Sequence, residues 1–246
     1  MRILGVIPSR YASTRFPGKP LADIAGKTMI QRVVEQVQQS DAITDVIVAT
    51  DDQRILDHVE SFGGNVCMTS QDHQSGTDRC QEALQSHSET YDYVVNIQGD
   101  EPFIQPSQIN QLAQLLDGQT QLATLIKPIS DNQQIANPNI VKVVKSLNEE
   151  AIYFSRSPIP YLRNHHQDQW TQQHQYYKHI GIYAYRSDVL DRITSLPISS
   201  LESAESLEQL RWLENGYHIK TAVTTFESIG IDTPEDLARA IINIQG

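Results

Sequence analysis

The sequence is poor in the residues and runs that mark secreted and membrane proteins. Its 246 residues include only two cysteines, Cys67 and Cys80, which are too few for a disulfide framework and lack the spacing of a metal site. No apolar run approaches the ~20 residues that cross a bilayer. The opening MRILGVIPSR has no apolar core long enough for a signal peptide. We therefore expect a cytoplasmic protein that has no membrane partner.

Basic residues are also scarce. The chain has 19 lysines and arginines against 30 aspartates and glutamates, a formal net charge of −11. This balance gives no overall attraction to nucleic acid, so we expect none as a partner. Any polyanion that the chain binds must meet a local basic cluster. The length fits one large domain or two small ones, since domains usually have roughly 100 to 200 residues.

Apolar, β-branched runs alternate with amphipathic helical patterns in the first half of the chain. This order predicts an α/β fold with a mainly parallel central sheet. From about Asn139 the strand-like runs carry polar interruptions, which favours a smaller lobe with antiparallel or mixed pairing. The strands are expected at residues 3–8, 46–50, 66–68, 94–97, 141–145, 152–155 and 179–185.

A basic loop, RYASTRFPGKP, occupies residues 10–20 directly after the first predicted strand. In open α/β sheets ligands bind at the carboxyl ends of the strands, so this loop is expected to face a ligand. Arg10, Arg15 and Lys19 supply three cations, and the serine, threonine and glycine between them supply hydroxyl and backbone donors. This set suits a triphosphate. The alternative is an exposed basic loop.

The loop is not a Walker A motif. Ser13 stands where that motif needs its first glycine, and Pro20 stands where it needs serine or threonine. No G-x-G-x-x-G pattern lies near Gly5, which counts against a dinucleotide-binding oxidoreductase.

Two aspartates each follow a short apolar strand. Asp100 lies in QGDEP, after the strand at 94–97, and Asp232 follows a short strand predicted at residues 228–231. A helix is expected to begin just after Asp232, at TPED. Carboxylates at this place in a phosphate-binding site usually hold Mg²⁺, which takes one or two of them and completes its shell with water and phosphate. Alone, either aspartate could be a turn or cap residue.

Six motifs in order along the chain resemble the 3-deoxy-manno-octulosonate cytidylyltransferases. The resemblance implies a Rossmann-like nucleotidyltransferase fold, usually a bacterial cytoplasmic homodimer. It implies transfer of the cytidylyl group of CTP to the anomeric hydroxyl of 3-deoxy-manno-octulosonate (KDO), giving CMP-KDO and pyrophosphate for lipopolysaccharide synthesis. The small departures at Ser9, Phe16 and Thr28 remove no charge. The motifs are RYASTRFPGKPL, SGTDR, QGDEP, KHIGIYAYR, ESLEQLR and GIDTPEDL.

The resemblance and the chemistry of phosphoryl transfer together suggest roles for these residues. Arg10, Arg15 and Lys19 would hold the β- and γ-phosphates, while Asp100 and Asp232 would hold Mg²⁺ against the α-phosphate. The catalytic set is therefore expected to be Arg10, Lys19, Asp100 and Asp232. The remaining nucleotide-binding residues are expected to be Ser75, Arg79 and Gln98.

The acid sugar needs a cation for its carboxylate and hydrogen-bonding groups for its hydroxyls. Within a helix predicted through residues 205–214, Glu208 and Gln209 lie opposite a leucine face. That polar face could instead be solvated, and His179 could be a satisfied core histidine. The residues that match the family's sugar-site segments are Gln98, Arg156, Arg163, His179, Tyr183, Glu208 and Gln209.

The base-binding segment is the least constrained part. Arg79, near the start of a helix, is expected to read the carbonyl of cytosine, although Thr77 or Asp78 could simply cap that helix. The residues alone do not choose CTP over UTP; only the resemblance does.

We interpret residues 1–246 as one cytidylyltransferase domain with three parts. Residues 1–138 are mainly the nucleotide-binding part, 139–227 mainly the sugar-binding and dimer lobe, and 228–246 the C-terminal metal-ligand strand and helix. Two other functions remain open: transfer to a related acid sugar such as 8-amino KDO or a sialic acid, and a non-catalytic nucleotide-binding regulator. The presence of both Asp100 and Asp232 disfavours the regulator, since binding alone needs no two-carboxylate metal site.

Overall fold

The computed structural model describes residues 1–12, 16–227 and 230–245. The strands are β1 Ile3–Ser9, β2 Asp23–Ile24, β3 Lys27–Thr28, β4 Asp45–Thr50, β5 Val66–Met68, β6 Tyr93–Asn96, β7 Leu122–Ile129, β8 Lys142–Lys145, β9 Ala151–Ser155, β10 Tyr176–Arg186 and β11 Ile219–Val223. The α-helices are α1 Met29–Val37, α2 Gln53–Ser61, α3 Gly76–Ser86, α4 Pro106–Ala113, α5 Asn132–Ala136, α6 Trp170–Gln173, α7 Ser187–Thr194, α8 Ser200–Glu205, α9 Gln209–Glu214 and α10 Pro234–Gln245. Within these residues, no helix is both long and apolar enough to cross a membrane.

The chain divides into two compact units. Unit 1 is Met1–Ala113 with Ser228–Gly246, and unit 2 is Gln114–Glu227. Residues 114–138, which the sequence pattern groups with the nucleotide-binding part, belong to unit 2 because β7 pairs there with β10 and β11. The sequence of an apolar strand does not indicate which unit the strand joins, because the strands that pair with it are distant along the chain.

Unit 1 contains a parallel sheet in the order β6-β1-β4-β5. Apolar side chains at both faces of β1 and β4, such as Val6, Ile7 and Val48, are fully buried, as expected where helices cover both faces of a parallel sheet. Thr28 is the N-cap of helix α1, and its side chain accepts a hydrogen bond from the amide of Gln31. The predicted parallel sheet is confirmed, and its carboxyl edge carries the loops after β1 and β6.

A second, smaller sheet in unit 1 was not expected from the sequence. Strands β2 and β3 form an antiparallel hairpin, turning through Ala25 and Gly26, which both have positive φ. Two-residue strands are too short to give a periodic signal. Around the hairpin, Ile24 and Met29 pack with Ile231 and Ala240 in one apolar cluster. This cluster fixes the segment before α10 against the segment that follows the basic loop.

Unit 2 contains a mixed sheet. Strand β7 pairs antiparallel with β10 and parallel with β11. Strand β8 pairs antiparallel with β10 and with β9. The register between β10 and β7 shifts between Ile180 and Tyr183, which re-aims the side chains on either side of the irregularity. The predicted mixed pairing of the second lobe is confirmed.

Candidate functional site

Lys19 joins the two predicted carboxylates in unit 1. Its Nζ donates to Oδ2 of Asp100 at 2.8 Å and to Oδ1 of Asp232 at 3.2 Å. Lys19 begins a short 3-10 turn after Gly18, whose φ of 72° lies in the left-handed region. A Cβ at Gly18 would also lie only 3.0 Å from the hydroxyl of Tyr11. The turn that aims Lys19 therefore needs glycine both for its backbone conformation and for space.

Local backbone contacts place each carboxylate. A Cβ on Gly99 would lie 2.8 Å from the carbonyl oxygen of Pro8, so only glycine lets the loop after β6 pass this close to the end of β1. The amide of Ile231 donates to the carbonyl of Asp100 at 2.9 Å. The side chain of Asp236 then accepts from the amides of Asp232 and Thr233, which caps α10 and fixes the residue just before it.

The side chains of Lys19, Asp100 and Asp232 lie on the wall of a cavity of about 490 Å³ in unit 1. This volume is within the range of small-molecule sites. The hydroxyl of Ser9 is buried beside it and has no hydrogen-bond partner within the described ranges of the chain. The cavity is lined by Pro8, Ser9, Arg10, Ala12, Lys19, Pro20, Gln98, Gly99, Asp100 and Asp232. It thus brings together five residues that the sequence predicts at the nucleotide or the metal: Arg10, Lys19, Gln98, Asp100 and Asp232.

The donor chemistry of the carboxylate pair fits Mg²⁺. Asp100 and Asp232 converge on one cation, the Lys19 ammonium, and carboxylate oxygens are the hard donors that Mg²⁺ prefers. The described residues hold no cluster of three or more His, Cys, Asp or Glu side chains that could bind a metal. A metal at this pair would therefore have two protein carboxylates and would take its other ligands from water or phosphate.

Two predicted nucleotide contacts have other partners in the structure. Ser75 is the N-cap of α3 and forms a capping box with Asp78, so the cap is Ser75 rather than Thr77 or Asp78. Arg79 is only 1% exposed. Its guanidinium lies 2.9 Å from the Asp51 carboxylate and also donates to the hydroxyl of Thr69.

A buried arginine requires such a carboxylate, and the guanidinium is therefore turned to Asp51 rather than to the cavity. The structure does not bring Arg79 to the site, and its predicted contact with the base is without geometric support. Arg15 lies outside the described residues, as do Ser228 and Ile229 of the strand expected before Asp232.

His179 lies on β10 in unit 2, in an aromatic environment. Its ring packs against Phe154 and Tyr183, at centroid distances of 5.3 and 5.0 Å, and Nε2 lies 3.0 Å from the Thr124 hydroxyl. Desolvation of the ring lowers the pKa of His179 to about 4, although the residue as a whole keeps some exposed surface. The imidazole of His179 is therefore expected to be neutral at physiological pH. This holds whether His179 contacts the sugar or is a core histidine.

Helix α9 carries the predicted pair Glu208 and Gln209, but it is shorter than the sequence suggests. Ser206 has a positive φ of 52° and separates α8 from α9, so the helix predicted through residues 205–214 is two helices. Glu208 is the N-cap residue of α9, and its charge helps to raise the pKa of Tyr183, which burial already raises.

Three polar atoms in this part of unit 2 are buried without partners in the described residues. They are Tyr183 Oη, Gln209 Nε2 and Trp212 Nε1. The rings of Tyr183 and Trp212 are in edge contact at 5.1 Å. Buried polar atoms are normally satisfied, so this group marks a place where a polar ligand would supply partners. A fully solvated helix face is wrong for Gln209 and Trp212, which are 5% and 1% exposed.

Trp212 lies on the same predicted polar face as Gln209 but is not among the residues that the sequence assigns to the sugar. Its burial, together with an indole N–H that has no partner among the described residues, gives it the same standing as Tyr183 and Gln209, because a buried indole N–H normally has a partner.

The two arginines expected at the sugar differ in their surroundings. Arg156 donates through Nε to the carbonyl of Glu205 at 2.7 Å and through Nη2 to that of Ser206 at 3.2 Å. Its Nη1 donates to the carbonyl of Pro138 at 3.1 Å. Arg156 therefore ties the end of β9 to the junction that precedes α9. Arg163, by contrast, is exposed.

Comparison with known proteins finds similarity over nearly the whole chain. Residues 4–229 match a family model described as cytidylyltransferase. The chain is 59% identical over 238 residues to the 3-deoxy-manno-octulosonate cytidylyltransferase of Cytophaga hutchinsonii, covering 96% of this chain and 95% of that protein. It is 58% identical over 246 residues to the enzyme of the same name from Parabacteroides distasonis, covering 98% and 97%.

Solved structures give the same result. CMP:2-keto-3-deoxy-manno-octonic acid synthetase complexed with CTP is similar with a TM-score of 0.93 and 44% identity, over 100% of this chain and 99% of that chain. A 4-diphosphocytidyl-2C-methyl-D-erythritol synthase from Anaerococcus prevotii has a TM-score of 0.63 at 14% identity, over 100% of this chain and 97% of that chain. The second likeness concerns the fold alone, and together the two confirm the predicted fold class.

Proposed function

The chain belongs to the cytidylyltransferase family, and we propose that it transfers the cytidylyl group of CTP to the anomeric hydroxyl of KDO, giving CMP-KDO and pyrophosphate. The observation that carries the catalytic part is the convergence of Asp100 and Asp232 on Lys19 at the wall of a polar cavity. Relatives with this name, at 58–59% identity over nearly the whole chain, support the choice of CTP and KDO. We propose that the product serves lipopolysaccharide synthesis.

Arg10 and Lys19 would hold the β- and γ-phosphates, and Gln98 would contact the nucleotide or the sugar. Both cations line the cavity with Gln98, and charge-assisted hydrogen bonds to phosphate are the strong contacts available to them. Arg15 remains a third predicted phosphate ligand, on the part of the loop that the structure does not describe. With the pyrophosphate held, the leaving group is oriented in line with the attacking hydroxyl, and its developing charge is neutralised.

Asp100 and Asp232 would hold Mg²⁺ as the cofactor. When bound, the ion would neutralise charge at the α-phosphate and lower the pKa of the attacking sugar hydroxyl. Phosphoryl transfer of this kind depends mainly on positioning and electrostatics. No residue of the chain needs to form a covalent intermediate.

The acid sugar would use the polar groups of unit 2. Tyr183 and Gln209 present buried polar atoms without partners in the described part of the chain, and Glu208 supplies a carboxylate beside Tyr183. An octulosonate has many hydroxyls that can satisfy such groups. Arg163 is exposed and could approach the sugar carboxylate, whereas Arg156 already binds backbone carbonyls and would act by holding the start of α9.

A homodimer and a cytoplasmic location complete the proposal. Exposed apolar side chains in unit 2, among them Leu147, Ile152 and Ile198, are of the kind that an interface between two copies would cover. The low cysteine count supports the cytoplasm.

Pyrophosphate release tests the proposed reaction. We expect the highest kcat/KM with CTP and KDO, a much lower value when UTP replaces CTP, and lower values with 8-amino KDO or a sialic acid. Equal or greater kcat/KM with one of the other sugars would support the related acid sugar as the substrate. Tight CTP binding without pyrophosphate release from any of these sugars would support the non-catalytic regulator.

A further inference from the structure

We propose that the Lys19 ammonium is the resident cation of the Asp100–Asp232 pair in the nucleotide-free protein, and that it excludes a divalent metal until the phosphates of a nucleotide draw it away. Lys19 thus makes metal binding depend on nucleotide binding. The inference rests on the proposed function, because it takes this carboxylate pair to be the metal site.

The hydrogen bonds show that Lys19 already occupies the pair. One ammonium group reaches Oδ2 of Asp100 at 2.8 Å and Oδ1 of Asp232 at 3.2 Å. The Lys19 side chain is only 14% exposed, compared with 31% for Asp100 and 45% for Asp232. The cation is therefore the most enclosed member of the three, and the carboxylates replace much of its contact with water.

A divalent ion and the ammonium would compete for these two carboxylates. Mg²⁺ binds carboxylate oxygens at roughly 2.0 to 2.1 Å and demands near-octahedral geometry. An ammonium donating to the same two oxygens would direct its protons at the lone pairs the metal needs. It would also place a positive charge within a few ångströms of a doubly charged ion. The two cations therefore compete for one anionic site.

The backbone around the site can stay in place while the lysine leaves. The turn at Gly18 and the hydrogen bond from the amide of Ile231 to the carbonyl of Asp100 fix the three backbones. The Lys19 side chain is a flexible four-carbon stem with a strongly hydrated ammonium. Its cavity also contains Arg10, so a triphosphate bound there would offer the ammonium new oxygen partners close to the old ones.

This competition has two physical consequences. In the nucleotide-free protein, the single positive charge of Lys19 offsets part of the repulsion between the two carboxylates. Once phosphates bind Lys19, the carboxylates regain their affinity for a divalent cation. Because such coupling is reciprocal, metal at the pair in turn favours the lysine's contact with phosphate.

Direct metal binding, measured without nucleotide, tests the inference. Mn²⁺ takes the same hard oxygen ligands as Mg²⁺, and its free concentration is measured by electron paramagnetic resonance during a titration. We expect Lys19→Met to bind Mn²⁺ more tightly than the unmodified chain, by a factor of roughly ten or more, because a competing contact charge is removed. The substitution K27M is the matched control: Lys27 pairs with Glu35 on the surface, and the same loss of charge there should leave Mn²⁺ affinity unchanged.

Two further variants show whether the gain in Mn²⁺ affinity depends on Asp232 and provide an alternative if Lys19→Met does not fold. Adding Asp232→Asn to Lys19→Met should abolish the gain in Mn²⁺ affinity, and Lys19→Gln should reproduce the gain if Lys19→Met does not fold. Unchanged or weaker nucleotide-free Mn²⁺ binding in the folded Lys19 variant would overturn the inference. If that happens while the unmodified chain still binds Mn²⁺ with CTP through Asp100 and Asp232, the proposed metal site survives. If Asp100→Asn and Asp232→Asn do not alter Mn²⁺ binding even with CTP, the proposed metal site fails as well.

Discussion

The backbone amide of Ile231 donates a hydrogen bond of 2.9 Å to the carbonyl oxygen of Asp100. This bond joins two segments that are distant in sequence and places Asp232 beside Asp100. Ile231 is fully buried in the apolar cluster with Ile24 and Met29, so packing of its side chain supports the contact. The two carboxylates are therefore held near each other by the backbone and do not rely on a cation to assemble them.

The first prediction concerns these carboxylates. Asp100→Asn and Asp232→Asn should each lower kcat by a factor of roughly 10² or more, because each substitution removes a charge that would face the metal and the α-phosphate. Steady-state pyrophosphate release measures the effect. Asp41→Asn, at an exposed position of unit 1, is the control and should leave kcat unchanged. Near-normal turnover in both site variants would contradict the assignment.

The second prediction concerns the phosphate contacts. Arg10→Ala and Lys19→Ala should weaken CTP binding by about one to two decades, since a charge-assisted hydrogen bond contributes ~1.5 to 3 kcal/mol. KDO binding should change less. Isothermal titration with each substrate separates the two effects. Arg192→Ala, a similar loss of charge at an exposed position of α7, serves as the control. Equal CTP affinity in all three variants and the unmodified chain would remove Arg10 and Lys19 from the phosphate site.

Much of the fold could be predicted from local patterns. The strand expected at residues 94–97 is β6 at Tyr93–Asn96, and the first strand differs from its prediction by one residue at the C-terminal end. Buried parallel strands are continuous apolar runs, so their sequence signal is strong. The β2–β3 hairpin has no such signal. The partners of β7 could not be predicted either, because strand pairing depends on contacts between distant parts of the chain.

In the candidate site, too, local sequence indicates the residues but not their contact partners. Asp100 and Asp232 could be predicted because each follows a short apolar run, and Lys19 because it lies in a basic loop after the first strand. The direct contact between Lys19 and both carboxylates could not, since a motif indicates which residues meet but not which of them pair. Arg79 illustrates the limit most clearly: its partner Asp51 lies 28 residues away, and nothing in SGTDR distinguishes a base-reading arginine from a buried ion pair.

The third prediction concerns the buried hydroxyl of Tyr183, which has no hydrogen-bond partner among the residues that the structure describes. Tyr183→Phe should leave the free energy of unfolding unchanged or higher, because removing an unpaired buried polar group removes a desolvation cost of about 1–3 kcal/mol. The KM for KDO should rise about tenfold if the hydroxyl serves the sugar. Tyr176→Phe is the contrasting control on β10: that hydroxyl donates to the carbonyl of Pro160 at 2.6 Å, so its loss should destabilise the fold. Unchanged KDO kinetics in Tyr183→Phe would return Tyr183 to a purely structural role.

The fourth prediction separates the two arginines of the sugar lobe. Arg156→Ala should lower the free energy of unfolding by about 1–3 kcal/mol, since three backbone carbonyls lose a donor. It should also raise the KM for KDO through movement of α9. Arg163→Ala should leave the thermal midpoint unchanged, because Arg163 is exposed, and should alter only KDO kinetics. A normal melt for Arg156→Ala would show that the carbonyl contacts do not stabilise the fold.

The last prediction concerns pH and His179. Its pKa is about 4 in the folded protein and 6.5 in the unfolded reference, so between these values the unfolded chain binds the extra proton. The stabilising contribution of the neutral imidazole is therefore fully present above about pH 6.5 and is lost as the pH falls towards 4. The full shift would correspond to about 3 kcal/mol at 1.36 kcal/mol per pH unit, but partial exposure of the residue reduces this, and we expect about 1–2 kcal/mol.

Urea unfolding at a series of pH values, compared with His179→Gln, isolates this contribution from the titration of carboxylates common to both proteins. The variant should lose less stability than the unmodified chain between pH 6.5 and pH 4. His165→Gln removes an exposed histidine and should keep the pH dependence of the unmodified chain. If His179→Gln and the unmodified chain lose stability in parallel, the imidazole is not desolvated enough to resist protonation. The aromatic contacts with Phe154 and Tyr183 would then not keep His179 neutral.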